Sequence, residues 1–308
     1  MTIRMMKRER VSWHPMAVQF VISSESLAMP NESADNFLDA CEAAARAGGR
    51  ELHEWQGKFA MRQKGVADYV TDADLASQEA VRKVIFDRFP DHAFVGEEQP
   101  ATSSPGRENQ LTWIVDPLDG TTNYVHGYPH YAVSVALARG SQLLVGAIYD
   151  PVSDQCFIAA AGSGAWCNGK RLRTSNVSNS SAALVAVSLP ARVPRDSPDL
   201  FDLVEAVHRC QAVRRSGSAA LNLAYVASGA LDAFWATHIH PWDVAAGVLL
   251  VIEAGGIVTA RDGTEFNLWR PQFLAACGRE LHADLLKILP TFSGAKARVA
   301  GTPEAKTC

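Results

Sequence analysis

Trp113-Ile-Val-Asp116-Pro-Leu-Asp119-Gly-Thr-Thr-Asn-Tyr-Val-His-Gly127 sets two carboxylates at the mouth of a buried strand. Trp113, Ile114 and Val115 read as the end of a core strand, and Pro117, which has no N–H to give to a ladder, is expected to stop it. Asp-Gly-Thr-Thr then marks a turn opening into a helix, with Gly120 free to take left-handed backbone angles and Thr121 able to cap. Carboxylates three residues apart across such a turn converge on one point. With no adjacent Lys or Arg they repel each other, and a divalent cation is the natural compensation.

Outward from this stretch, helical spacing of Phe37, Leu38, Cys41, Ala44 and Ala45 predicts an amphipathic helix over 34–54, and Leu75, Val81, Val84, Ile85 and Phe89 predict a second. Residues 64–74 between them read as a loop with a short extended segment, in which Asp72 is expected to be a cap or surface acid. Strand character follows at 94–95, 131–138, 143–149, 156–160 and 183–189. Beyond these, 200–207, 219–226, 244–254 and 282–289 read as helices, and 233–235, 257–259 and 273–275 as strands. The expected organisation is an extension over 1–33, an N-terminal α+β subdomain over 34–180, a C-terminal α/β subdomain over 181–290, and a frayed tail over 291–308.

Four separate segments present acids at element ends: Asp74, Glu97 with Glu98, Asp116 with Asp119, and Asp243. Acids at strand exits and helix starts gather at one sheet edge, where helix N-termini also point their N–H groups. Oxygen-only ligation suits Mg2+, which keeps room for substrate phosphate. Neither a phosphate-binding Gly-x-x-x-x-Gly-Lys loop nor a Gly-x-Ser-x-Gly elbow is present, so metal-assisted hydrolysis is the reading that remains.

Composition agrees with small-molecule chemistry. The chain has 308 residues, 47% of them hydrophobic, enough for a large core, and its 29 basic residues against a net charge of -4 are scattered rather than gathered into a nucleic-acid stripe. The six cysteines lie far apart without a Cys-x-x-Cys pair, which predicts neither zinc nor a disulfide framework and points to a reducing cytoplasm. No apolar run approaches the roughly 20 residues that cross a bilayer. Arg4, Lys7, Arg8 and Arg10 precede an apolar stretch at 16–22 that faintly resembles a signal peptide, but Gln19 interrupts it.

Gly96-Glu-Glu98, the stretch from Trp113 to Asn123, and Pro241-Trp-Asp-Val-Ala-Ala-Gly247 together resemble the inositol monophosphatase family. A Val-Thr-Asp-Ala-Asp segment and a Glu-Ala-Gly-Gly stretch extend the resemblance from about Phe37 to Leu289. It implies a five-layered α/β/α/β/α sandwich of the sugar-phosphatase type, commonly a homodimer, and Mg2+-dependent, lithium-sensitive hydrolysis of a small phosphate ester such as an inositol, polyol or sugar monophosphate. It further implies that Glu97, Asp116 and the carbonyl of Leu118 bind one Mg2+, that Asp116, Asp119 and Asp243 bind a second, and that a third, weaker ion lies near Glu97. Thr121 paired with Asp74 would polarise the attacking water, the N–H groups of Gly120 and Thr121 would receive phosphate oxygens, and Ala219 would contact substrate together with Asp243.

The chain departs from the family pattern seven residues before Asp243, where Ala236 stands in place of a glutamate that accepts a bond from an inositol hydroxyl. A hydroxyl left without that partner costs about 1 to 3 kcal/mol of affinity unless water, His238 or His240 replaces it. Fructose bisphosphate or a 3′-phosphoadenosine nucleotide is therefore an alternative substrate, although the nucleotide branch tends to place Lys where Thr122 stands. A non-catalytic metal- or ligand-binding regulator on the same scaffold is the alternative from another class. His238 and His240 are expected on a polar rim, Trp113 and Trp242 as packing residues, and Glu98 as support for its neighbour.

Overall fold

In β5 (Ala132–Arg139), Val133, Val135 and Leu137 alternate with Ala132, Ser134, Ala136 and Ala138, and all seven are buried. A strand covered on both faces sits between layers, and here one face is large and the other small. The Val and Leu face packs under α1 (Asn31–Trp55) and α2 (Asp72–Arg88) in a core with Phe37, Cys41, Val81 and Ile85. The small face meets α5 (Ala219–Ser228) and α6 (Pro241–Glu253) in a second core with Leu223, Val226, Leu250 and Val251. The computed structural model describes residues 31–65, 68–98, 108–190 and 192–289. The expected extension, apart from the residues at the start of α1, and the expected tail lie outside the described residues.

β5 is the third strand of a seven-stranded sheet ordered β3 (Ala93–Gly96), β4 (Leu111–Asp119), β5, β6 (Gln142–Asp150), β7 (Gln155–Ala160), β8 (Gly164–Cys167) and β9 (Lys170–Arg171). Only β3 and β4 run parallel. A second, five-stranded sheet is ordered β11 (Ala212–Arg214), β10 (Leu184–Ser188), β12 (Ala233–Ala236), β14 (Phe273–Ala276) and β13 (Ile257–Ala260). Its inner residues Ala186, Phe234 and Phe273 join the core around α5 and α6, while Val185, Val187, Trp235 and Leu274 face outward. The outer face is covered by α4 (Pro198–Arg209) and α7 (Arg279–Ile288), through Ala206, Leu281 and Leu285. The result is helices, sheet, helices, sheet, helices, the five-layered sandwich expected from the sequence.

The small-faced side of the first sheet lets α6 come close. At Gly146 in β6 an added Cβ would lie 2.9 Å from the Cα of Ala246 on α6. Because the obstacle is backbone, Gly146→Val is expected to push α6 off the sheet, costing about 2 to 3 kcal/mol. Since α6 carries Asp243 near its start, turnover should fall as well. Urea denaturation and phosphate release measured on the same preparation check both effects.

Two local readings change. β4 does not stop at Pro117 but continues through Asp119, with a register shift against β5 between Asp116 and Asp119. Its pairing with β3 has already ended at Val115, so Pro117 occupies a bulge with one neighbour, where its missing N–H costs no ladder bond. The 64–74 segment is largely the hairpin of β1 (Met61–Gly65) and β2 (Asp68–Thr71) running into α2. The cap of α2 is Thr71, and Asp72 pairs with Arg62 at 2.9 Å.

On the outer layer His282 is buried, with Nε2 2.8 Å from Thr259 Oγ1. Burial, aided by Arg279, pulls its pKa down to about 4. The unfolded chain therefore binds more protons between about pH 4 and 6.5, so this contribution is intact above 6.5 and lost as pH falls toward 4. At pH 5 the loss is about 2 kcal/mol. Urea midpoints at pH 7 and pH 5 should fall further apart in the wild type than in His282→Gln.

Candidate metal centre

The bulge after Val115 aims the acids. Leu118 N–H donates to Asp116 Oδ1 at 3.0 Å, an Asx turn that turns the chain at Pro117, and Ser77 Oγ on α2 donates to the Pro117 carbonyl at 2.7 Å. Asp119 is held from 99 residues away, by the start of α5. Ser218 Oγ donates to Oδ2 at 2.5 Å, Ala220 N–H to Oδ2 at 2.7 Å, and Ala219 N–H to Oδ1 at 3.2 Å. Asp243, at the third position of α6, receives the His240 N–H at 2.7 Å.

Asp116, Asp119 and Asp243 thus bring carboxylate oxygens within 4.8 Å of one another. Burial first, then the charges of Glu97, Asp119 and Asp243, raise Asp116 well above the usual carboxylate range. Burial and Asp243 raise Asp119 against the bonds from Ser218, Ala220 and Ala219, and burial raises Asp243 too. Glu97 stands outside the tight group of three, yet after burial it exerts the largest push on Asp116. Its N–H is pinned to the Val115 carbonyl at 3.3 Å, beside the strand that carries Asp116. Crowded, oxygen-only donors, Asp116 and Asp119 buried and Asp243 half-buried, fit a hard divalent cation, which would relieve the mutual repulsion.

Gly120 takes φ 99° and ψ 35°, and a Cβ there would lie 3.0 Å from the His130 carbonyl. It lets the chain turn from β4 into α3 (Thr121–Val125), and being Gly it gives the first turn no side-chain cap. Thr121 Oγ1 lies 3.3 Å from Asp74 Oδ1 and 3.1 Å from the Leu118 carbonyl. Asp74 is fully buried, accepts from both N–H and Oγ of Thr71, and is pushed up to about 6, chiefly by burial. Asn123 Nδ2 bridges the carbonyls of His130 and Ser216 at 2.7 and 2.9 Å, tying α3 to the loop that leads into α5.

A cavity of about 560 Å³ opens beside Asp119 and Asp243, with Ala219, Arg215, His238 and Ile239 also on its wall. Ala219 is therefore at the cavity, although its N–H is spent on Asp119. Ala236 is buried at the end of β12 in the core around α5 and α6 and is not part of that wall. His240 stacks on Trp242 at 4.6 Å, while the Trp113 indole is buried and donates to His92. Glu98 acts at a distance by raising Asp74, and its N–H is held by Gln78. Ser218, Asn123 and Arg215 were not singled out from the sequence. A Gly-Ser-Ala-Ala step opening an apolar helix signals a cap, but nothing local says that the cap also holds Asp119.

A family model described as "Inositol monophosphatase family" matches residues 33–292. Inositol monophosphatase 2 of Solanum lycopersicum is 42% identical over 240 residues, covering 76% of this chain and 91% of the relative. A protein of Pasteurella multocida named Nus factor SuhB is 37% identical over 260 residues, covering 83% and 97% respectively. The solved structure of an inositol monophosphatase from Anabaena superposes with a TM-score of 0.75 at 38% identity, covering 84% of this chain and 97% of that one. Sequence, layers and acid centre lead to one conclusion: the chain belongs to the inositol monophosphatase family and is a phosphoric monoester hydrolase.

Proposed function

We propose that the chain hydrolyses inositol monophosphate or a related polyol or sugar phosphate, using two to three Mg2+ ions. The observation that carries this reading is the convergence of Asp116, Asp119 and Asp243 beside the Thr121–Asp74 pair at an open cavity. Glu97, Asp116 and the Leu118 carbonyl would hold one ion, Asp116, Asp119 and Asp243 another, with a weaker third near Glu97. When bound, such ions acidify water and neutralise charge on the phosphoryl and leaving oxygens. Thr121 Oγ1, donating to Asp74, offers its lone pairs to the attacking water and passes a proton toward a carboxylate poised near neutrality. Gly120 and Thr121 N–H groups, left uncapped, receive phosphate oxygens.

Among the described residues no helix is long and apolar enough to cross a membrane. A cytoplasmic homodimer sensitive to lithium completes the proposal. The test is phosphate release over a panel of inositol, sugar, histidinol and nucleotide phosphates, including fructose bisphosphate, with and without Mg2+. Mg2+-dependent release from a polyol or sugar phosphate supports the reading, and no release from any member ends it. The relative named Nus factor SuhB favours a second reading, in which the scaffold serves a macromolecular partner. Metal binding without hydrolysis anywhere on the panel would favour that reading.

A further inference from the structure

His238, which lines the same cavity as Asp119 and Asp243, ends a hydrogen-bond relay. Asp199, buried near the start of α4, accepts from the hydroxyl of buried Thr237 at 3.0 Å. Thr237 Oγ1 also lies 2.9 Å from His238 Nδ1, and His238 Nδ1 is 3.6 Å from Asp199 Oδ2. Arg261 Nη1 lies 3.5 Å from Asp199 Oδ1, the same oxygen that accepts from Thr237. A carboxylate only accepts, so the single hydroxyl proton of Thr237 is committed to Asp199. Thr237 must then accept from His238, which places the imidazole proton on Nδ1 and leaves Nε2 of the neutral ring as an acceptor. The His238 side chain is 65% exposed and lines the same cavity as Asp119 and Asp243.

We propose that His238, set in this tautomer by Thr237 and Asp199, is the specificity residue of the site. Its Nε2 accepts a hydrogen bond from a hydroxyl of the leaving group. The ligand class is a phosphomonoester that carries a free hydroxyl near the phosphate, a polyol or sugar phosphate rather than an aryl phosphate. The inference rests on the proposed hydrolysis and assigns the hydroxyl-reading role to a side chain that Ala236, buried in the core, has no means to supply.

Two measurements on the full chain with Mg2+ test it. In the first, KM and kcat are compared for inositol 1-phosphate and 4-nitrophenyl phosphate, which has no hydroxyl to offer. His238→Ala should raise KM for the first about fivefold to tenfold with kcat little changed, and leave the second unaltered. Thr237→Val, which cuts the relay, should shift KM in the same direction by less. Equal changes on both substrates, or none, would overturn the proposal. In the second, nitrogen-15 NMR of the histidine rings, assigned by loss of the signal in His238→Ala, reads the tautomer whether or not the protein turns over. Protonation on Nδ1 is expected, and a neutral ring protonated on Nε2 overturns the proposal. Absence of hydrolysis of both substrates by the wild type, with Nδ1 protonated, would instead count against the proposed hydrolysis and with it the substrate role of His238.

Discussion

Asp119→Asn is expected to leave a folded protein whose phosphate release is reduced about a thousandfold, equivalent to about 4 kcal/mol of lost transition-state stabilisation. The substitution removes a negative charge from a cradle of three carboxylates within 4.8 Å, weakening its hold on a cation. The fold should survive because the amide oxygen still accepts from Ser218 and Ala220, which share one oxygen in the native site. The Ala219 N–H would face an amide nitrogen and lose its partner, a cost of about 1 to 3 kcal/mol. Relief of the repulsion from Asp116 and Asp243 offsets it. Circular dichroism and thermal melts of the metal-stripped proteins check the fold, and release from inositol 1-phosphate checks the rate. Near-normal turnover would refute the ligand role.

Thr121→Ala should lower kcat about a hundredfold with KM nearly unchanged, whereas Thr121→Ser should keep most of the activity. The hydroxyl contacts Asp74 and the Leu118 carbonyl and sits at the first position of α3. A positioned group that handles the proton of the nucleophile contributes about 10²- to 10⁴-fold, and that contribution appears in the transition state rather than in substrate affinity. The serine variant separates the hydroxyl from the methyl group and from any effect of helix propensity. If both variants behaved alike, the hydroxyl would have no part in the reaction.

Periodicity made much of this fold legible. Phe37, Cys41 and Ala44 recur at helical spacing, and they are the buried face of α1. Alternation of Ala, Ser and Val through β5 marks a strand, and its split into a small and a large face, visible once the layers are known, explains where α6 lies. The short strands β8, β9 and β11 escaped, because β8 opens on a glycine and β9 and β11 carry exposed basic residues, whereas the equally short β3, β12 and β14 are apolar runs buried throughout. Pro117 misled because its effect depends on whether a neighbour needs its N–H, which is a property of the sheet and not of the residue.

The acids that converge were readable because Asp119 and Asp243 stand at element ends and Asp116, inside β4, precedes the proline that marks its bulge. Their supports were not. Ser218 reaches Asp119 across 99 residues, Asn123 reaches Ser216 across 93, and Thr237 finds Asp199 across 38. Each of these bonds joins elements that meet only after the layers have packed. His238 looked like one of two equivalent rim histidines in alternation with Ile239. The structure separates them, His238 on the cavity wall over Thr237 and His240 stacked on Trp242.

Calorimetric titration of chelator-stripped protein with Mg2+, in the wild type and in Asp116→Asn, bears most directly on the acid centre. Asp116 is the acid on which Glu97, Asp119 and Asp243 all act. A divalent-cation centre predicts saturable binding in the wild type that is lost or greatly weakened in the variant. Absence of binding in the wild type, or equal binding in both proteins, would contradict it.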